Sequence, residues 1–308
     1  MQEPRSRFPL DPHESALLAL GALVSAWTVE RRAFSLFAEC AFATTLLASA
    51  IAYCARREAT CAASAFDRWS RLRIFASFPF MLWFYCVAVG RLVPALGEPL
   101  RDATLLSIDR AIFGETPSVA ATRLALPLAV EVLSLCYVSL HIMMFTLLIW
   151  AFSADAARAR RICQPVFLAF AIGFLGYITV PAIGPERAFP ALFATPLPVG
   201  PLSALNTRII DSGTALYDVF PSLHTGIALC ILIHDARANR RRFYWLLLPC
   251  IGIIVSTIVL RYHYAIDLAA GALLAVAVNA LPAESRRRST EQESFGSAGG
   301  LSASRVRV

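Results

Sequence analysis

Two short segments of the chain carry residue types that can transfer protons or form covalent intermediates. His263 and Asp267 are four residues apart, so on a helix they lie on the same face. A carboxylate placed there can orient an imidazole and stabilise its positive charge, which is half of a nucleophilic or acid–base device. A second imidazole, His224, follows Pro221 and Ser222. Together the segments predict one site at which two histidines act on a substrate.

The segment that begins at Pro221 is also suited to binding an anion. Proline favours the first position of a helix, where its missing N–H costs nothing, so the sequence predicts a helix that starts at Pro221. The N–H groups of Ser222, Leu223 and His224 would then be unpaired and point outward, where they bind phosphate oxygens. The Ser222 hydroxyl adds a further group for phosphate.

Arg187 and Arg261 supply positive charge for the same purpose. Arginine makes paired hydrogen bonds to phosphate and keeps its proton. Phosphoryl transfer needs little beyond positioning, charge neutralisation, a nucleophile and a proton donor, so the predicted site works without a metal.

Three less specific interpretations stay open. His263 and Asp267 form a structural polar pair at a helix end, or Arg187 is an interfacial arginine whose charged head reaches water. In the third, His224, His263 and Asp267 bind zinc, which the nearby arginines disfavour because they repel a cation.

The composition indicates a membrane protein. Of the 308 residues, 57% are hydrophobic and 16% are charged, and the mean hydropathy is +0.62. A soluble core of this size needs less apolar sequence than that. The net charge of +7 does not indicate a nucleic-acid partner, because all 28 basic residues are arginines that cluster in short loops between apolar runs.

The apolar runs predict an all-α fold, a polytopic integral membrane helical bundle of about eight transmembrane helices. They cover residues 33–55, 74–96, 126–151, 163–183, 221–235, 243–262 and 265–281, with a weaker run at 15–29. We expect three regions, which are an N-terminal membrane hairpin with a basic cytoplasmic loop (1–73), a six-helix catalytic domain (74–281) and a disordered cytoplasmic tail (282–308).

The loop charges predict the orientation of the bundle. Arginines crowd the segments 56–73, 155–161 and 237–242 and the tail, and the positive-inside rule places these in the cytoplasm. The histidine motifs and Arg187 then lie at the opposite face. One basic pair, Arg31 and Arg32, falls on that face at the turn of the hairpin. All-arginine usage is typical of a GC-rich bacterial genome, so we expect a bacterial inner membrane protein with a periplasmic active site.

The motifs resemble those of a known enzyme family. Pro221-Ser222-Leu223-His224 and Arg261-Tyr262-His263-Tyr264, the latter followed by Asp267, resemble the second and third motifs of the type-2 phosphatidic acid phosphatase superfamily. Segments 107–114 and 184–190 also resemble its inositol-phosphorylceramide-synthase-like (inositolphosphotransferase) branch. The resemblance covers about residues 100–281.

The resemblance implies a mechanism that uses no cofactor. His263 would be the nucleophile that forms a phosphohistidine, and Asp267 would orient it. His224 would protonate the leaving alcohol and then activate the acceptor.

The chain departs from the phosphatase members of that superfamily. It has no lysine and no Arg-Pro pair for their first motif, and Ser256 and Thr257 stand where those members have Ser-Arg. Arg261 lies one helical turn beyond Thr257, so we expect it to enter the same space. These departures favour transfer of a phosphorylated head group over hydrolysis of a lipid phosphate.

The expected function is that of a lipid phosphotransferase or phosphoesterase, for example in sphingolipid metabolism. Its partners would be a membrane phospholipid donor and a lipid or polyol alcohol acceptor. The alternatives are a phosphatase acting on a phosphatidic-acid- or polyprenyl-phosphate-type substrate, and a non-catalytic lipid-binding or transport protein. Tyr137, His141 and Asp218 are further candidate substrate contacts, since ionisable groups within a membrane protein often serve function. Tyr137 and His141 could instead satisfy each other.

Overall fold

The computed structural model describes residues 9–212 and 215–281, and this part of the chain is all-α. Its longer helices are α1 (Pro12–Glu30), α2 (Phe34–Thr60), α3 (Ala63–Leu96), α4 (Asp102–Phe113), α5 (Pro127–Ser153), α6 (Ala156–Thr179), α7 (Pro201–Ser212), α8 (Leu223–Ala238), α9 (Arg240–Val259) and α10 (Ala265–Ala280). Single helical turns at Pro117–Ala120, Pro185–Ala188 and Pro190–Leu192 lie in the connections.

The helices confirm the predicted polytopic membrane fold. Helices α2, α3, α5, α6 and α9 are long and apolar enough to cross a membrane, and α10 is a shorter apolar helix. With α1 and α8 they account for the eight predicted apolar runs. Large apolar side chains such as Leu128, Ile149 and Leu248 are at least 70% exposed, as expected of surfaces that face lipid.

The predicted division into regions stays a prediction. The boundary after residue 73 falls inside α3, which runs on without a loop to Leu96. The tail predicted at 282–308 lies outside the described residues.

The arginine-rich segment 56–73 was wrongly predicted to be a loop. Helix α2 continues to Thr60 and α3 begins at Ala63, so only a tight turn joins them. Arg73 is 1% exposed and donates hydrogen bonds to Glu14 at 2.6 Å and to Glu58 at 3.1 Å. Arg73 can be buried because these two carboxylates neutralise its charge, and a buried charge is stable only when it is paired.

A second buried ion pair joins the N-terminal hairpin to the rest of the bundle. The Arg160 guanidinium of α6 donates to the Asp11 carboxylate at 2.9 Å, directly before α1. His13 packs edge-on against Phe167 of α6, with ring centres 5.6 Å apart. The start of α1 is therefore fixed against α6 by charge and by ring packing.

The arginine-rich connections meet at one end of the bundle. The Asp67 carboxylate accepts from the Ala156 N–H at 2.7 Å, and Arg71 donates to the Phe152 carbonyl at 2.6 Å. At the other end Arg31 forms an ion pair with Glu98 at 3.0 Å. This neutralises one of the two arginines, Arg31 and Arg32, that did not fit the predicted cytoplasmic location of the basic loops. Which end faces the cytoplasm stays a prediction.

Helices α8 and α10 approach each other closely because glycines lie at their crossing. The N–H of Ser222 donates to the Asp267 carbonyl at 3.0 Å. A Cβ at Gly271 would overlap the Ser222 carbonyl oxygen, and a Cβ at Gly226 would lie 3.3 Å from the Gly271 carbonyl oxygen. This approach brings the first turns of α8 and α10 together.

We predict that Gly271→Ala destabilises the protein by about 3 kcal/mol, because the new methyl group meets backbone that cannot rotate away. Gly226→Ala should cost much less, since its contact is looser and alanine improves helix propensity by about 1 kcal/mol. Leu273→Ala is the control, because this residue of α10 is 72% exposed. The measurement is thermal unfolding in detergent, and equal midpoints for Gly271→Ala and Leu273→Ala would contradict the close crossing.

Candidate active site

The two predicted histidines and their aspartate meet at the end of the bundle opposite the arginine-rich connections. His224 lies in the first turn of α8, His263 in the turn before α10, and Asp267 in the first turn of α10. The Nδ1 atom of His263 is 3.5 Å from a carboxylate oxygen of Asp267. The two imidazole rings are 6.0 Å apart, centre to centre. All three side chains are buried, so a substrate placed between the histidines is shielded from bulk water.

The turn between α9 and α10 positions His263 without placing it on a helix. Arg261 has a positive φ of 62°, and the N–H groups of Tyr262 and His263 both donate to the Thr257 carbonyl at 3.0 and 3.1 Å. The prediction that His263 and Asp267 share a helix face is therefore wrong in detail, although the two residues do meet. The chain reverses so tightly after Thr257 that the histidine falls beside the start of α10.

The start of α8 differs from the prediction. The helix begins at Leu223 and not at Pro221, with Ser222 as its N-cap, whose hydroxyl accepts from the Thr225 N–H at 3.3 Å. Serine is among the best N-cap residues. The backbone N–H of Ser222 donates a hydrogen bond to the Asp267 carbonyl. The predicted free N–H of Ser222 is thus wrong, and Ser222 is 0% exposed. A phosphate contact through its hydroxyl stays a prediction.

Arg261 is held by protein groups. It is 1% exposed, donates to Glu186 Oε1 and to the Thr195 carbonyl, each at 3.0 Å, and lies over the Phe193 ring at 4.4 Å. Arg261 therefore fastens the segment that follows α6 to the turn that carries His263. Arg187 lies on the same segment, in the helical turn Pro185–Ala188, and its side chain is exposed.

A polar cavity of about 360 Å³ opens in front of His263. Its wall includes both predicted phosphate-binding arginines, the acidic residues Glu186 and Asp218, and the aromatic residues Tyr137 and Tyr262. His263 opens into this cavity, whereas His224 lines a second, apolar cavity of about 120 Å³ on its other side. Asp218 lines both, so the two histidines and Asp218 stand at the junction of two different environments.

Tyr137 and His141 pack around His224 instead of bonding to each other. Tyr137 stacks on the His224 ring with centres 4.1 Å apart, and its ring also lies 4.8 Å from that of Tyr262. His141 meets His224 edge-on at 6.1 Å. These contacts fix the plane of the His224 ring, which a proton donor requires.

Asp218 accepts a hydrogen bond from the Tyr85 hydroxyl at 3.0 Å. Tyr85 lies in the π-helical segment Phe84–Ala88 of α3, a distortion that is frequent at functional sites. Burial raises the pKa of Asp218 above its ordinary value, although its neighbours, which include the Tyr85 hydroxyl and Arg187, oppose that change.

Two aspartates of α4 position the site and were missed as functional residues. Asp102 accepts from the N–H groups of Ile183 and Gly184 at 3.1 and 3.0 Å, and from the Tyr264 hydroxyl at 3.0 Å. Burial raises the pKa of Asp102, and these hydrogen bonds oppose the rise. The Asp102 carboxylate thus joins the segment of Arg187 to the turn of His263.

Asp109 does the same for the start of α10. It accepts from the N–H groups of Ala265 and Ile266, each at 3.0 Å, and from the Thr116 hydroxyl at 2.7 Å. Asp102 and Asp109 are seven residues apart, which is two helical turns, so they share one face of α4. That spacing was the signal in the sequence, but it does not indicate which backbone groups the carboxylates meet.

A cluster that could bind a metal ion lies away from this site. Within residues 9–212 and 215–281, the one set of histidine and carboxylate ligand atoms lying within 4.8 Å of one another belongs to Asp11, His13 and Glu14. Arg160 and Arg73 already bond to its two carboxylates. These arginines disfavour a cation there.

Comparison with known proteins places the site in a family. The model of the PAP2 superfamily matches residues 103–281, a range that includes Asp109 and both histidine motifs and begins directly after Asp102. No curated protein and no solved structure matches the chain.

We predict that Asp109→Asn lowers stability by about 1–2 kcal/mol and lowers turnover, because an amide cannot accept both N–H groups of α10 as a carboxylate does. Asp155→Asn is the matched control, since this exposed residue caps α6 through the Arg158 N–H and asparagine caps equally well. Thermal unfolding and phosphoester turnover are measured for both variants. Unchanged stability and turnover in Asp109→Asn would remove the positioning role.

We predict that Asp218→Asn gains stability relative to wild type as the pH rises. Because the folded-state pKa is raised, the contribution of Asp218 is full below the ordinary value of about 3.9 and is lost as the pH rises through the raised value. Asparagine has no such loss. Unfolding midpoints of both proteins are compared across about pH 4 to 8. A difference that is constant with pH would show that Asp218 is not buried as described.

Proposed function

The chain belongs to the PAP2 superfamily of phosphatases and phosphotransferases, and from this premise we propose that it is a lipid phosphotransferase. The proposed reaction moves a phosphorylated head group from a membrane phospholipid to an alcohol, as in the inositol-phosphorylceramide-synthase-like branch. The observation that carries the proposal is the His263–Asp267 pair, whose histidine lines a polar cavity of about 360 Å³ and lies 6.0 Å from the ring of His224.

His263 is the proposed nucleophile. Asp267 lies beside Nδ1, so the proton of the neutral ring belongs on that atom and Nε2 keeps its lone pair. Nε2 attacks phosphorus and forms a phosphohistidine, and the Asp267 carboxylate stabilises the positive charge that develops on the ring. In an apolar bundle this pairing is worth more than it would be in water.

His224 is the proposed acid and base. It gives a proton to the leaving alcohol as the phosphorus–oxygen bond breaks, and it takes a proton from the acceptor in the second half of the reaction. The stacked Tyr137 holds its ring in place. Both histidines end the cycle in the state in which they began.

Arg187 is the proposed phosphate ligand on the cavity wall. Arg261 was expected to share that role, but its bonds to Glu186 and Thr195 support a positioning role. It holds the segment of Arg187 against the turn of His263. The proposed contacts of Tyr137, His141 and Asp218 with substrate remain part of this proposal, as does the hydroxyl of Ser222.

The size of the polar cavity supports transfer of a head group. A water molecule needs about 30 Å³, so the cavity has room for a hydroxylated group attached to the phosphate. The carboxyl oxygens of Glu186 and Asp218 on the cavity wall can accept hydrogen bonds from the hydroxyl groups of such a head group. The arginine-rich connections gather at the opposite end, which supports a periplasmic active site in a bacterial inner membrane.

The test is turnover of labelled phospholipids by the purified protein in mixed micelles with EDTA, with ceramide and diacylglycerol supplied as acceptors. Products are identified by mass spectrometry, and the phosphoenzyme is trapped by denaturation in base. We predict a new head-group-bearing lipid and an acid-labile phosphoprotein. His263→Ala should abolish both and lower turnover by more than about a thousandfold, because no other group replaces the nucleophile.

His234→Ala is the matched control, since this histidine lies on α8 at the opposite end from His224 and should retain activity. Release of free phosphate or of a free phosphorylated head group would make the protein a hydrolase. Equal turnover in wild type and His263→Ala would refute phosphohistidine catalysis. No product from any donor would favour a lipid-binding or transport protein.

A further inference from the structure

The apolar cavity beside His224 differs from the polar cavity in position and in character. It lies between α3, α5, α6 and α8 and reaches His224 at its inner end. Apolar side chains dominate its wall, including Phe78, Leu82, Met144, Phe145, Phe170 and Phe174. The hydrogen-bonded pair of Tyr85 and Asp218 closes the inner end next to His224.

The outer end of this cavity reaches the surface of the bundle. Leu82 of α3 is 46% exposed and Phe145 of α5 is 52% exposed, and both line the cavity. Helices α3 and α5 are both candidate membrane spans. The cavity therefore extends from a surface that faces lipid to the ring of His224.

We propose that this apolar cavity binds the alkyl chain of the alcohol, and that the leaving alcohol and the accepting alcohol occupy it in turn. The proposal rests on the proposed function for the reaction that takes place at His263. The acceptor is then a lipid alcohol and not a polyol, and the polar cavity binds the transferred head group.

The position of His224 carries this argument. A proton donor must lie within hydrogen-bond reach of the alcohol oxygen, and His224 lines the apolar cavity, whereas His263 lines the polar one. An alkyl chain attached to that oxygen then packs against the aromatic wall and leaves water. A polyol in the same place would bury most of its hydroxyl groups against apolar side chains, which is unfavourable.

One cavity for both alcohols fixes the order of events. In the first half, the bond between His263 Nε2 and phosphorus forms, the bond from phosphorus to the lipid oxygen breaks, and His224 gives that oxygen a proton. The first alcohol leaves towards the bilayer. The second alcohol then gives its proton to His224, its oxygen bonds to phosphorus, and the nitrogen–phosphorus bond breaks. The product alcohol therefore competes with the acceptor.

Met144→Trp and Met143→Trp form a matched pair for the test. Met144 lines the apolar cavity, whereas Met143 lines a different cavity on the other side of α5, against α8 and α9. Turnover is measured with dioleoyl and dibutanoyl forms of the donor that the wild type uses. We expect Met144→Trp to lower kcat/KM at least about tenfold for the dioleoyl donor, because the indole fills the space of the chain, and to spare the dibutanoyl donor.

Met143→Trp should leave both donors unchanged. Leu82→Trp, at the lipid-facing mouth, provides a second variant if Met144→Trp does not fold. Equal losses for the long and short donors, or no loss for either, would overturn the proposal. Diacylglycerol added as a product should inhibit competitively against the acceptor, and noncompetitive inhibition would overturn the shared cavity.

A binding experiment separates this proposal from the proposed function. Diacylglycerol with a photoreactive diazirine in one chain is irradiated with the full-length protein in micelles, and the labelled residues are identified by mass spectrometry. We expect label on the cavity wall in wild type and in His263→Ala, and loss of that label in Met144→Trp. Label confined to outward-facing residues such as Leu128 and Leu248 would overturn the cavity assignment, even if turnover supports the transferase.

Discussion

Asp267 connects the two histidines of the site, and the remaining geometry depends on that connection. One oxygen of its carboxylate lies beside His263 Nδ1 and also accepts the Tyr264 N–H at 2.9 Å. Its backbone carbonyl accepts the N–H of Ser222, two residues before His224. A single residue thereby sets the orientation of His263 and its distance from His224. This arrangement is possible only because glycine at position 271 lets α8 come so close.

The site is supported by carboxylates that are buried against backbone. Asp102 and Asp109 are almost inaccessible to solvent, and burying a carboxylate is costly unless hydrogen bonds replace water. The N–H groups of the turn before Arg187 and of the first turn of α10 provide those bonds. The latter also present the positive end of a helix dipole to Asp109. Helix α4 thus holds the segment of Arg187 and the turn of His263 in fixed positions relative to each other.

Features that depend on a local pattern could be predicted from the sequence. Predictions were wrong where a residue's position depends on a partner that is distant in the chain. Composition and apolar runs predicted the membrane bundle, and the spacing of His263 and Asp267 predicted their pairing. The helix start at Pro221 was wrong because Ser222 finds an acceptor on α10, which no local rule contains. Arg73 was assigned to a loop because its partners Glu14 and Glu58 lie on other helices. Arg261 was expected to meet phosphate because Glu186, far away in the chain, was not recognised as its partner.

The charges around the polar cavity bear on the choice between a phosphodiester and a phosphomonoester. Arg187 and Arg261 bring two positive charges, and Glu186 and Asp218 bring two carboxyl groups. Glu186 offsets Arg261 through their ion pair at 3.0 Å, so Arg261 brings no uncompensated charge to the cavity wall. A phosphomonoester carries close to two negative charges near neutral pH, whereas a diester carries one, so a diester needs fewer cations around it. The ion pair of Arg261 and the lack of lysine in the sequence both bear on this choice, because each leaves fewer cations to compensate a phosphomonoester dianion in a partly apolar site.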